Sequence, residues 1–204
     1  MASVREENAA RTRATLISVG TALFAEHGFA EVTTAQVCEA AGVTRGALYH
    51  HFGSMVGLME ACFAEVDHGV VDTLSKHAQT GRPIERVHAV THAFVDQLAD
   101  KTVRQILFVE APAALGWTRW REIDGGRSLT LVKDLLVAAH DQGDLLPRHN
   151  PKVLAHLLLG GLNELAMFVA ASRSRNNALT AAHTELDAVL DGMFASAHDE
   201  SLRG

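Results

Sequence analysis

The chain has 204 residues, 48% of them hydrophobic and 5% aromatic, with four prolines and a formal net charge of −6. That length allows one or two compact domains with a sizeable core, and the lack of β-branched or aromatic runs at period two argues against a sheet protein. The acidic balance excludes nucleic-acid binding through bulk basic charge: residues 1–55 hold four arginines against five glutamates, so any DNA affinity has to come from local placement.

In chain order, residues 1–10 read as frayed, and a first helix is predicted over about residues 8–27. It would bury Leu16, Val19 or Gly20, Leu23 and Phe24 and end at Gly28. Gly20 inside it costs about 1 kcal/mol relative to Ala, which close packing against the next helices would justify. Thr34 is the N-cap candidate of a second helix whose apolar stripe is Val37, Ala40 and Ala41. Gly42 supplies the left-handed backbone that ends it. Thr44 can cap a third helix, with Leu48 and Phe52 inward.

Ser54 can cap a long fourth helix to about residue 77, with Leu58, Cys62, Phe63, Val66, Val70 and Leu74 inward, before the break at Gly81-Arg82-Pro83. The fifth (about 84–100) has Ile84, Val87, Val90, Thr91, Phe94 and Leu98 on one face. A sixth (about 102–115) contains Ile106, Leu107 and Val109 and is bent or restarted by Pro112. Gly125-Gly126 ends the next piece. The seventh (about 127–142) stops at Gly143, and Pro151 fits the first position of an eighth that runs to about residue 171. The ninth covers about 178–197. The most apolar stretch, 153–171, is interrupted by His156, Asn163 and Glu164, which suits a buried helix better than a membrane span. Without an apolar leader, and with Cys38 and Cys62 forming no CxxC pair, a reducing cytoplasm is the expected compartment.

Residues 33–52 thus form two short helices about a tight turn, the helix-turn-helix plan in which the second helix lies in the DNA major groove. Upstream, Leu16-Ile17, Leu23-Phe24 and Glu26-His27-Gly28-Phe29 precede it at fixed distance. Together with Thr44-Arg45-Gly46-Ala47-Leu48-Tyr49-His50-His51-Phe52 they closely resemble the N-terminal domain of the tetracycline-repressor (TetR) family, over roughly residues 8–60.

In the third helix Arg45 is the strongest base-reading candidate, because its fork can engage guanine O6 and N7 together. Gly46 permits close approach, Thr44 can touch a phosphate or a thymine methyl, and Tyr49 offers a hydroxyl and a ring. His50 and His51 add donors. The resemblance implies that Thr44, Arg45 and Tyr49 reach bases and that Thr34 and His51 hold phosphates. The family usually carries a lysine just after the position of Ser54; here that residue is Met55, which implies weaker or less salt-sensitive binding.

The resemblance also implies an all-α fold of about nine helices: a helix-turn-helix DNA-binding domain (1–53) and a ligand-binding and dimerisation domain (54–204). The expected partners are a double-stranded DNA operator, a small, largely apolar effector and a second copy of the chain, with no membrane. The expected dimer seam uses Leu154, Leu157, Leu158, Gly161, Leu165 and Phe168 of the eighth helix and Leu186, Val189, Leu190, Met193 and Phe194 of the ninth. The segment from Phe108 to Asp124 looks like one found in a subset of TetR-like regulators, where the middle helices border the cavity. Phe94, Phe108, Trp117, Asn163 and Met167 are its candidate ligand contacts; Glu110, Asn163 and Glu164 would serve as polar anchors if buried without partners.

No cofactor is expected, and an enzyme is disfavoured because no Gly-rich phosphate loop, G-x-S-x-G elbow or HExxH occurs. Glu85, His88, His92 and Asp96 share one stripe of the fifth helix, opposite its apolar face, and are expected to face solvent without a metal. The favoured reading is a ligand-responsive repressor. An effector-independent DNA-binding activator or architectural protein is the alternative, and an enzyme follows behind it.

Overall fold

The computed structural model describes residues 4–194. In chain order it contains α1 (Val4–His27), a 3-10 turn (Phe29–Glu31), α2 (Thr34–Ala41), α3 (Arg45–Phe52), α4 (Met55–His77), α5 (Pro83–Gln97) and α6 (Lys101–Gln105). A π-turn (Ile106–Glu110) leads to α7 (Ala111–Leu115), α8 (Trp117–Asp124), α9 (Arg127–Asp141), α10 (Pro151–Ala171) and α11 (Arg175–Asp191). The expected all-helical class holds, with one isolated antiparallel bridge between Leu145 and Phe194. Eleven α-helical segments stand among the described residues against nine expected, because 101–115 divides around the π-turn and 117–124 is a helix of its own.

The helices form two compact units. The first comprises residues up to His68 together with Lys101–Ile123; the second comprises Gly69–Asp100 and the chain from Asp124 onward.

In the first unit, α1 begins at Val4, four residues before its expected start. Glu6 and Glu7 in its first turn favour the positive helix end, and the Arg11 guanidinium donates to Asn8 Oδ1 at 2.6 Å. Leu16, Ile17, Gly20 and Phe24 are buried as the core face, while Val19 and Leu23 are half-buried. A Cβ on Gly20 would stand 3.1 Å from Cys62 Sγ and 3.2 Å from Leu58 Cδ2, so this glycine lets α1 lie closely on α4.

Pro112 lacks an N–H and its ring crowds the carbonyl of the residue four earlier, Phe108. The wider π-turn that contains Phe108 absorbs this conflict without breaking the helical path. Trp120 is fully buried and donates Nε1–H to the Leu107 carbonyl at 2.8 Å, pinning α8 onto that turn. Glu110 accepts the Phe29 N–H at 2.7 Å and the Gln105 side-chain amide at 2.8 Å, tying the end of α1 to the same place.

The core of the second unit is built by α5, α9, α10 and α11. Val87, Val90 and Thr91 of α5 face Val132 and Leu135 of α9 and Leu158 of α10 around a small apolar gap. Asn150 caps α10 by accepting the N–H groups of Lys152 and Val153, and Pro151 opens the helix, as the sequence predicts. By length and composition α10 could cross a membrane. Eight of its residues are buried within this unit, however, including Asn163.

α11 starts three residues before its expected position of 178, and Arg175 in its first turn donates to the Val169 and Ala170 carbonyls at the end of α10. The chain leaves the helix after Asp191, where the Met193 carbonyl instead accepts the Leu146 N–H at 3.3 Å and Phe194 pairs with Leu145. The last part of the predicted ninth helix, 195–197, lies outside the described residues.

Candidate nucleic-acid interface

Thr33, one residue before the expected Thr34, caps α2. Its hydroxyl accepts the Gln36 N–H at 3.3 Å while the Gln36 amide oxygen accepts the Thr33 N–H at 2.8 Å, a reciprocal capping box. The glutamine three residues after Thr33 is the signal for it in the sequence. With Thr33 as the cap, the Thr34 hydroxyl is not used in capping and lies 3.5 Å from the Tyr49 hydroxyl. Val37 and Cys38 carry the buried face of α2, and Ala40, expected inward, is exposed. Gly42 ends the helix at φ 65° and ψ 34°, the left-handed conformation expected of it.

Thr44 caps α3 by accepting the Ala47 N–H at 3.2 Å and keeps its own O–H for an outside acceptor. Leu48 is fully buried and anchors the helix. Phe52 is half-buried, with the Arg13 guanidinium 5.4 Å above its ring. With that face fixed, Thr44, Arg45, Gly46, Tyr49 and His50 are exposed together and His51 is half-exposed. A Cβ on Gly46 would meet only the Thr44 hydroxyl, at 3.8 Å, so nothing inside the protein demands a glycine there. Its effect is outward: it keeps the face beside Arg45 low. The His50 and His51 rings are 5.5 Å apart at 63°, edge to face.

Beyond α3, Ser54 accepts the Gly57 N–H at 3.0 Å as the cap of α4. No acidic residue lies in the first turn of that helix, so its positive end stays available to an anion although Met55 supplies no charge. Gly57 carries no mark in the sequence that sets it apart. A Cβ there would overlap the Phe52 carbonyl oxygen, so Gly57 sets how closely the end of α3 meets α4.

The expected seam residues divide. Leu154, Leu158, Leu186 and Leu190 are all buried, at 6%, 4%, 6% and 0% exposed; Leu154 and Leu190 belong to the second unit's own core, a correction to their expected place in a dimer seam, whereas the buried Leu158 and Leu186 also line a groove. Leu158, Gly161, Leu165, Leu186, Val189 and Met193 line one apolar groove of about 310 Å³ between α10 and α11. Leu157 lines it too, and Leu157, Val153 and Phe168 of the same helix are more than half exposed. Leu157 and Phe168, both expected in the seam, stand on the outward face of α10, and Leu154 does not.

The expected ligand contacts are also redistributed. Trp117 is 58% exposed, and the buried indole is that of Trp120. Phe108 is buried in the first unit; Phe94 is buried and Met167 half-buried in the second. Asn163 is buried but already donates to Asp124 Oδ2 at 2.7 Å, Glu110 holds the two donors described above, and Glu164 is exposed. None of the three is an orphaned polar anchor. The polar stripe of α5 departs from expectation as well: Glu85 caps its own helix by accepting the Arg82 N–H at 3.0 Å, whereas His88 and His92 are half-buried.

Two family models match the chain: bacterial regulatory proteins of the tetR family over residues 16–62, and the tetracyclin repressor-like C-terminal domain over residues 84–193. The Transposon Tn10 TetC protein of Escherichia coli is 23% identical over 167 residues, 80% of this chain and 82% of that protein. The HTH-type transcriptional regulator TtgR of Pseudomonas putida is 36% identical over 75 residues, 37% of this chain and 35% of that protein. A crystal structure of a TetR-family transcriptional regulator from Pectobacterium atrosepticum superposes with a TM-score of 0.83 at 26% identity, covering 96% of this chain and 99% of that one.

Proposed function

The chain belongs to the TetR family of bacterial transcriptional regulators, and from that premise we propose that it is a homodimeric repressor released from a palindromic operator by a small, largely apolar ligand. Residues 1–53 read the DNA, and residues 54–204 bind the effector and pair the subunits. The observation that carries this reading is the outward face of α3. Arg45, Tyr49 and Thr44 stand exposed beside a glycine that the protein's own packing does not need.

Arg45 supplies the bidentate base contact, with Thr44, Gly46 and Tyr49 around it. Thr34, His50, His51 and the positive end of α4 hold the phosphates. The groove between α10 and α11, with the exposed Leu157 in its lining and Phe168 exposed on the same helix, supports pairing through a four-helix seam, since exposed apolar side chains at this density want cover. Two α3 helices then meet half-sites about 34–36 Å apart, one DNA turn. Phe94 and Met167 of the second unit are the remaining candidate effector contacts. A ligand acts to the extent that it binds the released state more tightly than the operator-bound one.

The test is a nuclease-protection assay on DNA flanking the coding gene, with and without a panel of apolar metabolites. Protection of one symmetric site, lost on adding a particular compound, supports the proposal. Protection that no compound alters favours the effector-independent alternative, and no protected site opposes both.

A further inference from the structure

His88 and His92 stand four residues apart on α5, so their rings share a face and stack with centroids 6.4 Å apart and planes 14° from parallel. α11 brings a carboxylate to them. Asp187 Oδ1 lies 2.7 Å from His92 Nε2 and 3.7 Å from His88 Nδ1, and the three donor atoms are all within 4.8 Å of one another. A tetrahedral ion with bonds of about 2.0–2.2 Å holds its ligand atoms roughly 3.3–3.6 Å apart, so small side-chain rotations convert this triangle into three of its four corners. Two imidazole nitrogens and one carboxylate oxygen suit zinc and its neighbours among the divalent transition metals better than calcium or magnesium.

A second layer of contacts points the same way. His92 Nδ1 faces His183 Nδ1 at 2.7 Å, with the two rings stacked at 4.8 Å, and His183 Nε2 faces Asp96 Oδ1 at 3.0 Å. When Nε2 of His92 is given to a metal, its ring proton sits on Nδ1 and is donated to His183, whose Nε2–H is donated in turn to Asp96. Metal-bound histidines characteristically donate their second nitrogen to such a partner, which fixes tautomer and ring orientation. A solvated polar stripe needs none of this: it requires neither an i, i+4 histidine pair aimed at one oxygen nor a carboxylate-terminated chain behind it. The histidine side chains are 27–29% exposed, which leaves the fourth position open to water and gives an ion a way in.

We propose that His88, His92 and Asp187 bind one divalent transition-metal ion, zinc being the type, with His183 and Asp96 orienting His92. The ion joins α5 to α11 within the second unit. It therefore stabilises that unit by mass action.

The test uses the full chain, stripped with chelator and titrated with Co²⁺ and then Zn²⁺. The expected result is one saturable site per chain, a Co²⁺ visible spectrum of low coordination number that Zn²⁺ abolishes, and a higher melting temperature with metal. His92→Gln and Asp187→Asn should each remove the site. His183→Gln should weaken it about 10–100-fold. His156→Gln, on exposed α10 surface, should leave it unchanged. Absence of a saturable site in the wild type overturns the proposal, as does unchanged binding in Asp187→Asn. Asp187 is exposed, so that variant should fold even if His92→Gln does not.

Discussion

Gly57 in the first turn of α4 lies so close to the carbonyl oxygen of Phe52 at the end of α3 that a methyl group on it would overlap that oxygen. The recognition helix is thus positioned by backbone meeting backbone, and not by Leu48 and Phe52 alone. Gly57→Ala should force the two helices apart. The expected cost is about 1–3 kcal/mol of stability, as for other overpacking changes. Operator affinity should fall further than stability explains, because the exposed face of α3 is re-aimed. Thermal melts and binding isotherms on the same preparation check this; a variant with native melting and native affinity would show that the contact relaxes freely.

Met55 stands where a phosphate-binding lysine is usual in the family, at a helix end with no acidic residue in its first turn. Met55→Lys should tighten binding to operator and random DNA alike. It should also steepen the slope of log affinity against log salt by about one unit per subunit. Titrations at several salt concentrations give the slope, and an unchanged one would mean that this helix end stays away from the backbone.

The seam can be tested without touching the core. Leu157 is 68% exposed, so Leu157→Glu should keep the native fold and melting of the subunit while preventing its pairing, by burying an unmatched charge in the interface. Leu190 is fully buried, and Leu190→Glu should instead disrupt the fold itself. Sedimentation separates the two results. A Leu157→Glu variant that remains dimeric would move the interface elsewhere.

Much of this is legible in the sequence because short-range chemistry decides it. Gly42, Thr44, Ser54 and Pro151 mark helix ends through backbone conformation or a hydrogen bond to a residue two or three positions away. What is not legible depends on distant partners. Nothing local distinguishes Trp117 from Trp120; the Leu107 carbonyl, thirteen residues back, decides which indole is buried. Asn163 reads as an amide in want of a ligand until Asp124 supplies its partner. The stripe of α5 reads as solvated because the two residues that give it a purpose, His183 and Asp187, lie about ninety positions away on α11.

Cys62 gives a prediction in pH. Burial pushes its thiol up from an ordinary 9.0 to about 11, so the native chain keeps a proton that the unfolded chain releases. The associated stability is fully present below pH 9.0 and is lost as the pH rises through about 11. Urea melts of the wild type should therefore weaken across that window relative to Cys62→Ala, and the native thiol should resist Ellman's reagent at pH ~8. A parallel loss in both proteins, or rapid native labelling of Cys62, would contradict the assignment.

The most direct test of the DNA-reading account is selection from a random duplex pool, performed with the wild type and with Arg45→Ala. The account predicts that the wild type enriches one palindrome with half-sites about one helical turn apart. Arg45→Ala should bind that site about 1–3 kcal/mol more weakly and lose preference at one symmetric pair of positions. Failure of the wild type to enrich any symmetric site, or an Arg45→Ala profile identical to it at every position, would contradict the account.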